Sequence, residues 1–524
     1  MPEYLTPGVY IEEIERGPKP IEGVPTSTSA FLGETERGPI RPRLVTSFTE
    51  YNRWFGNVFK DARYMPHAVN GFFENGGKRL YVCRIVGDTV TTASRVFGDF
   101  TVSAAGPGIW GRNVWVKFED GSTKNAAGVS GFRMKLAYWS SFPANFQPFD
   151  PFNPANRNTL PKPQYVEDFD DLSVDPNSSN FYTKRLIDSS TNQTVSALVR
   201  LDSALTAPSK PPLSPPAGNL LDQNGADDPN ALGADDFQGK IAGGRDQVQG
   251  LEALELDPYR DVALVYAPRP PDNDVDIVRK VIDHCEKLRF RFAAIDGSQN
   301  DEPSGLDPRQ TNKWDTSYAA FYAPWVVISD PQSGARRVVP PGGHVLGVYA
   351  RTDTERGVFK APANEIVRGA LDVRFEINDN TQGVLNPRGV NVIRSFPARG
   401  IRVWGARTLS SDALWKYVSV RRLFIFLEHS IYDGTQWVVF EPNDDRLWAR
   451  VKDTIRLFLR SQWRGGALFG RTEEEAFFIT CDRTTMTQDD ILNGRLICEI
   501  GIAPVRPAEF VIFRIFQNTA EAQR

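Results

Sequence analysis

Hydrophobic positions change their spacing several times along the chain, and each change predicts a different element. Near the start, Val9-Tyr10-Ile11-Glu12-Glu13-Ile14 follows a Pro7-Gly8 turn and has the makings of a short strand. Gly17-Pro18, Pro20, Gly23 and Pro25 come next and forbid a helix, so that strand is expected on a stiff, extended arm. A second strand is expected at Ser29–Gly33. Partial helix follows over 47–75, then a buried strand at Arg79–Val86, together a small α/β unit of about 100 residues.

The pattern then loosens. Over 88–250 Pro, Asn, Asp, Ser and Gly become common, and strand-like pieces (Val114–Glu119, Phe132–Trp139) stand between loops. The stretch 207–246 is close to low complexity and is expected to be an outward loop, because it lacks apolar content to offset its ordering entropy. Within it GADDPN and GADDFQ echo each other, but two copies do not make a repeat architecture.

Clear periodicity returns at 259–296: a strand at Asp261–Tyr266, a helix at Asp274–Leu288 with Val275, Val278, Ile282 and Cys285 on one side, and a strand at Phe290–Ile295. This is one βαβ unit, so a partly parallel sheet is predicted there. Further on, Ser411-Asp412 is expected to cap a helix through Tyr417 and Arg421. Asp444–Trp463 has Leu447, Val451, Ile455, Phe458 and Leu459 at helical spacing and ends at Gly465-Gly466. Ala476–Cys481 and Leu496–Gly501 read as strands. The final run, Phe510-Val511-Ile512-Phe513-Arg514-Ile515-Phe516, is apolar on both faces, which suits the interior of a sheet and not an open edge. The whole reads as a mixed α/β chain.

Composition narrows the function. The 524 residues carry 40% hydrophobic and 24% charged positions, ordinary for globular domains. With 61 basic and 65 acidic residues the net charge is −4, which argues against a protein that coats nucleic acid and leaves little repulsion to oppose self-association. Cys83, Cys285, Cys481 and Cys498 are scattered without a CxxC pair and read as reduced thiols of a protein made in the cytoplasm. Residues 1–20 do not resemble a signal peptide, and no run has the length of a membrane span.

A search for chemistry returns little. His284 and Cys285 are neighbours on a helix, so their side chains diverge, and no further ligands complete a zinc set. The glycines at 465–470 lack the Gly-Lys-Ser/Thr ending of a phosphate loop, and Gly106-Pro107-Gly108 lacks the third glycine and helix of a dinucleotide fingerprint. The first turn of the βαβ unit, Ala267-Pro268-Arg269-Pro270-Pro271, offers few backbone donors to a nucleotide. No catalytic residue, cofactor or metal is expected. The basic residues on the Asp444–Trp463 helix form either a solvated face or a charged face docked on a partner.

Several runs together resemble the contractile tail sheath family. TPGVYIEEI…GVPTSTSAFLG is similar to its opening; SYAAFYAPWVVISDP, PPGGHVLGVYARTDTERGVFKAPANEIVRGA, LNPRGVNVIRSFPARGIRVWGARTLS and WKYVSVRRLFIFLEHSI are similar to its successive core blocks; and GRLICEIGIAPVRPAEFVIFRIF is similar to its ending. The resemblance covers the first hundred residues or so and most of 260–516, in the family's order, with little over 120–250.

The resemblance implies a structural subunit and not an enzyme. Its core is built from N- and C-terminal segments, with a more variable, β-rich insertion between them. The implied divisions are a strand-exchange arm at 1–25, the N-terminal part of the core at 26–100, an outward-facing insertion at 101–255, an α/β domain at 256–400, a C-terminal core domain at 401–505 and a second exchange arm at 506–524. Subunits would stack as six-fold rings into a helical sleeve around an inner tube, assemble extended and contract once to drive the tube through an envelope. Val9, Tyr10, Ile11, Glu12 and Ile14, with Phe510, Val511, Ile512, Phe513, Arg514, Ile515 and Phe516, would supply the exchanged strands. By analogy with a tube-facing helix, Arg446, Arg450, Lys452 and Arg456 would face the tube. Implied partners are other copies of the chain, the tube protein, and baseplate and terminator or cap proteins. Nucleic-acid binding and direct membrane insertion are not expected. Assembly in the bacterial cytoplasm is implied, within a phage or phage-tail-like particle that is released or docks at a membrane. The GVPTST opening inclines the reading towards an injection particle over a phage tail. A non-contractile shell or adhesin polymer, and a nucleotide-binding cytoplasmic enzyme, are the competing classes.

Overall fold

The structure is a computed structural model that describes residues 20–57, 63–124, 130–143, 146–189, 191, 193–213, 221, 224–241, 248–268 and 275–514. The chain folds as two units, one comprising Pro25–Arg422 and the other Met1–Val24 with Leu423–Arg524.

The larger unit is organised on a nine-stranded sheet. Its order is Arg43–Val45, Leu80–Arg84, Ser29–Gly33, Leu264–Tyr266, Phe292–Asp296, Ala319–Ala323, Val390–Phe396, Gly400–Val403 and Glu365–Ile366. The inner strands from Leu80–Arg84 to Val390–Phe396 are parallel, and the pairings at either end are antiparallel. The parallel sheet expected from the βαβ pattern is therefore present. A parallel sheet needs cover on both faces, and alternation along each strand provides it. Ala30 and Leu32 point into a core that contains Val278, Ile282 and Cys285 of the Val275–Leu288 helix. Phe31, between them, faces the opposite layer, edge-on to Phe72 at 5.4 Å and to Tyr266 at 5.1 Å. That layer holds the helices Met65–Glu74 and Gly342–Arg356, which lie very close together. A Cβ at Gly343 would stand 2.4 Å from the Ala68 carbonyl oxygen, and one at Gly347 2.5 Å from that of Phe72.

The middle of the chain supplies a second core. The sheet Val114–Lys124, Ser130–Tyr138 and Tyr165–Leu172 and the sheet Val199–Ser203, Phe100–Ala104 and Ser94–Phe97 enclose Phe100, Phe118, Phe132, Leu136 and Leu201. The 207–246 stretch is not wholly an open loop. Leu221 is buried in this second core, and a short helix, Ala234–Gln238, puts Phe237 into the core of the large sheet. Single aromatic or aliphatic anchors do this in a polar background, which averaged composition does not reveal.

The helix expected from Ser411-Asp412 begins later, at Val418. Ser411 is instead bound to Asp315, through Oγ at 2.6 Å, and Tyr417 forms an isolated bridge with Arg407. Local capping chemistry is present, but tertiary bonds take it.

In the smaller unit, the end of the Val418–Gly434 helix packs on the Asp445–Arg464 helix, with Phe426 and Phe458 6.0 Å apart. Asp444 caps the second helix by accepting from the Leu447 amide at 2.8 Å, close to the predicted start. Strands Phe477–Thr480 and Glu499–Ile502 form an antiparallel hairpin. Ile21 is buried against Gly434, and the Val24 amide donates to Ser430 Oγ at 3.1 Å, so the described end of the N-terminal arm lies along the first helix.

Candidate assembly surfaces

The C-terminal run leaves the hairpin unpartnered. Val505 still donates to the Ala467 carbonyl at 3.2 Å. Beyond it, Phe510–Arg514 has no regular secondary structure, and Phe510, Val511, Ile512 and Phe513 are 72, 68, 78 and 85% exposed. Over Phe510–Arg514 the expected strand is thus not formed, and among the described residues no strand pairs with it. Ile515 and Phe516 lie outside the described residues, as do Val9, Tyr10, Ile11, Glu12 and Ile14. Four consecutive large apolar side chains in water are costly, each giving up about 1.5–3 kcal/mol of available burial.

The Asp445–Arg464 helix is divided sharply. Leu447, Trp448, Val451, Ile455, Phe458 and Leu459 are buried, whereas Arg446, Arg450, Lys452 and Arg456 are exposed. Part of the charge is matched locally. Arg450 binds Glu441 at 2.9 Å and lies 5.0 Å from the Trp437 ring centre. Arg456 and Arg460 both bind Glu473.

A polar cluster that periodicity does not show sits in the larger unit. Arg422 forms a two-pronged bond with Asp353, at 2.9 and 2.5 Å, with both side chains almost fully buried. Asp353 also accepts from Thr26 Oγ1 at 2.7 Å, and Arg422 donates to the Thr26 carbonyl at 2.9 Å. Thr26 and Arg422 stand within a few residues of the two points where the chain passes between units. One carboxylate therefore ties Thr26 and Arg422 to the Gly342–Arg356 helix, and its loss would strand a buried guanidinium.

Three of the four histidines are buried and held neutral. Burial, reinforced by Arg337, holds His67 down at about 4; burial with Arg291 and Lys287 holds His284 at about 3; burial and His67 hold His344 at about 4. Arg291 lies 2.6 Å from His284 Nε2, which suits a neutral ring accepting from a guanidinium. No group of three or more His, Cys, Asp or Glu side chains suited to a metal occurs among the described residues. No helix among them is long and apolar enough to cross a membrane.

Residues 241–409 match the phage tail sheath protein central domain and 410–518 the phage tail sheath C-terminal domain, together more than half of the chain. A putative prophage major tail sheath protein of Pseudomonas aeruginosa is 26% identical over 243 residues, 44% of this chain and 58% of that one. The tail sheath protein of Salmonella phage ViI is 24% identical over 252 residues, 43% of this chain and 39% of that one. The chain thus spans well under two thirds of the curated relatives it matches. Two cryo-EM structures share its fold from end to end. The sheath complex of PVC, an extracellular contractile injection system, in the contracted state gives a TM-score of 0.58 at 24% identity, covering 100% of both chains. The helical sheath of the anti-feeding prophage, also contracted, gives 0.56 at 23%, covering 98% of this chain and 100% of that one. The chain belongs to the contractile tail sheath family, the structural sheath proteins of phage tails and phage-tail-like injection systems.

Proposed function

We propose that this chain polymerises as stacked six-fold rings into a sleeve around an inner tube, assembles in an extended metastable state, and contracts to drive the tube through a target envelope. The observation that carries this reading is the exposed apolar run at Phe510–Phe513, which nothing among the described residues buries. Donation of Phe510–Phe516 to a sheet edge of a neighbour would bury both faces and satisfy its backbone bonds. Val9–Ile14 would do the same at the other end. Burial of Phe510, Ile512 and Phe513 offers about 1.5–3 kcal/mol each, against about 1–2 kcal/mol of ordering entropy per residue. One clasp is therefore marginal. Several per subunit are firm, because each later one is intramolecular.

Arg446, Arg450, Lys452 and Arg456 would meet the tube by a salt-sensitive contact. Other partners are baseplate and terminator or cap proteins. The role is mechanical and not enzymatic, within a particle assembled in a bacterial cytoplasm. An injection particle is preferred to a phage tail, supported by injection-system sheaths that match over 98% or more of the chain. The test is negative-stain microscopy of the chain co-expressed with its tube and baseplate. Hollow sleeves of two lengths are expected; sleeves of a single fixed length would refute contraction, and dispersed subunits would refute polymerisation.

A further inference from the structure

The scattered cysteines of the sequence include one pair that the fold brings together. In the hairpin of the smaller unit, Phe477 opposes Ile502 and Thr480 opposes Glu499. One more step along this antiparallel register places Cys481 directly opposite Cys498. The Ala503 amide donates to the Ala476 carbonyl at 2.9 Å, which makes Phe477 and Ile502 a non-hydrogen-bonded pair. By alternation Cys481 and Cys498 are one too. Such pairs hold their Cα atoms about 4.5 Å apart with side chains at closest approach, inside the roughly 4.4–6.8 Å range of disulfides. The thiol of Cys498 hydrogen-bonds to the Cys481 sulfur, which favours thiolate at Cys481 and, with burial, holds the Cys498 thiol well up; the Lys452 ammonium is a smaller effect favouring thiolate at both. Cys481 is buried, whereas Cys498 is only half-buried and open to a reagent.

We propose that Cys481 and Cys498 are an oxidative modification site, closing to an intrachain cross-strand disulfide when the chain meets a small disulfide oxidant such as oxidised glutathione. The Cys498 sulfur, passing its proton across the hydrogen bond to the Cys481 thiolate, attacks one glutathione sulfur, forming a mixed disulfide and releasing the first glutathione as thiolate, which then takes up that proton. Cys481, once more a thiolate, then attacks the Cys498 sulfur and expels the second. Two protein thiols and one oxidised glutathione become one protein disulfide and two reduced glutathiones. The closed loop, 482–497, holds the short Gln488–Leu492 helix, and its ends are already joined by a bond from Thr485 Oγ1 to the Ile497 carbonyl at 2.9 Å. The new bond would pin the hairpin whose last strand leads into the exposed C-terminal run. Cys83 and Cys285 are internal controls: both are buried in the larger unit, and burial pushes both thiols up, Cys285 to about 12.

The test treats the folded full-length chain with oxidised glutathione, blocks remaining thiols, and maps peptides without reductant. A Cys481–Cys498 cross-linked peptide with no retained glutathione is expected, together with loss of two hydrogens per chain relative to the reduced protein. Cys481→Ala lacks the resolving thiol and is expected to keep one glutathione on Cys498. A stable glutathione adduct on Cys498 of the unaltered chain, or both cysteines still open to alkylation after oxidation, would overturn the proposal.

Discussion

At the scale of single residues, the larger unit keeps ionisable groups in its interior on unequal terms. Arg422 and Asp353 are accommodated in the interior because each offers the other a paired partner and Thr26 takes up a remaining bond. His67, His284 and His344 stay neutral because burial makes their protonation costly. This sets a pH dependence with a definite sign. In the unfolded chain these rings bind a proton near their ordinary value of about 6.5; in the folded chain they do so at about 4, 3 and 4. Below about pH 6.5 the unfolded state therefore binds more protons, and stability falls as the pH is lowered. The contribution is complete above about 6.5 and is lost on descent towards 4, on the order of 3 kcal/mol per histidine. Asp330, held below its ordinary 3.8 first by backbone bonds from Ser333 and Gln332 against a burial cost, gives way only at more acid pH, leaving the histidine window clear. Urea midpoints of the larger unit are expected to fall steadily from about pH 7 to pH 4.5; a flat profile would show that the rings can charge in place.

At the scale of elements, close packing of the Met65–Glu74 and Gly342–Arg356 helices depends on two glycines one turn apart. Gly347→Ala brings a methyl group to 2.5 Å from a backbone oxygen, which no side-chain rotation relieves. Alanine gains up to about 1 kcal/mol of helix propensity, but overpacking against backbone costs about 1–3 kcal/mol, so net destabilisation is expected in thermal melts. Gly383, in the Asp379–Leu385 helix, has nothing within 4 Å of a Cβ. Gly383→Ala should instead be neutral or stabilise by about 0.5–1 kcal/mol, so equal effects at both positions would show that helix spacing is not the cause. Elements with strong periodicity, such as Val275–Leu288 and Asp445–Arg464, were legible within a residue or so of their ends. Elements set by distant partners were not. The helix at Val418 begins only after Ser411 and Tyr417 are engaged elsewhere, and Phe237 anchors a helix in a segment whose composition says loop.

At the scale of the whole molecule, exposure of Phe510–Phe513 separates folding from assembly. These side chains pack in no core formed by the described residues, so their removal should not weaken the fold. Changing Phe510, Ile512 and Phe513 together to Ser is expected to leave the unfolding free energy of the isolated subunit, read from urea melts, within about 0.5 kcal/mol of the original, while sleeves disappear from electron micrographs. Deleting residues 1–15 should also abolish sleeves. Normal sleeves from either variant would sink the strand-exchange reading.

What the sequence by itself determined is whatever depends on near neighbours in the chain: the strand and helix periods, the parallel βαβ unit, the arm that cannot be helical, and the two-sided apolar run at the C-terminus. These follow from side-chain spacing and from proline and glycine stereochemistry, which act over a few residues. Only the tertiary structure decided which distant groups meet. It set Asp353 between Thr26 and Arg422, placed glycines where two helices touch, and aligned Cys481 with Cys498 across a hairpin. Sheet register and helix contact join residues tens to hundreds of positions apart, and no local pattern records such distances. The exposed run at Phe510–Phe513 belongs to both: its pattern says buried strand, its place in the lone chain says exposed, and that mismatch is the physical reason to expect a second copy.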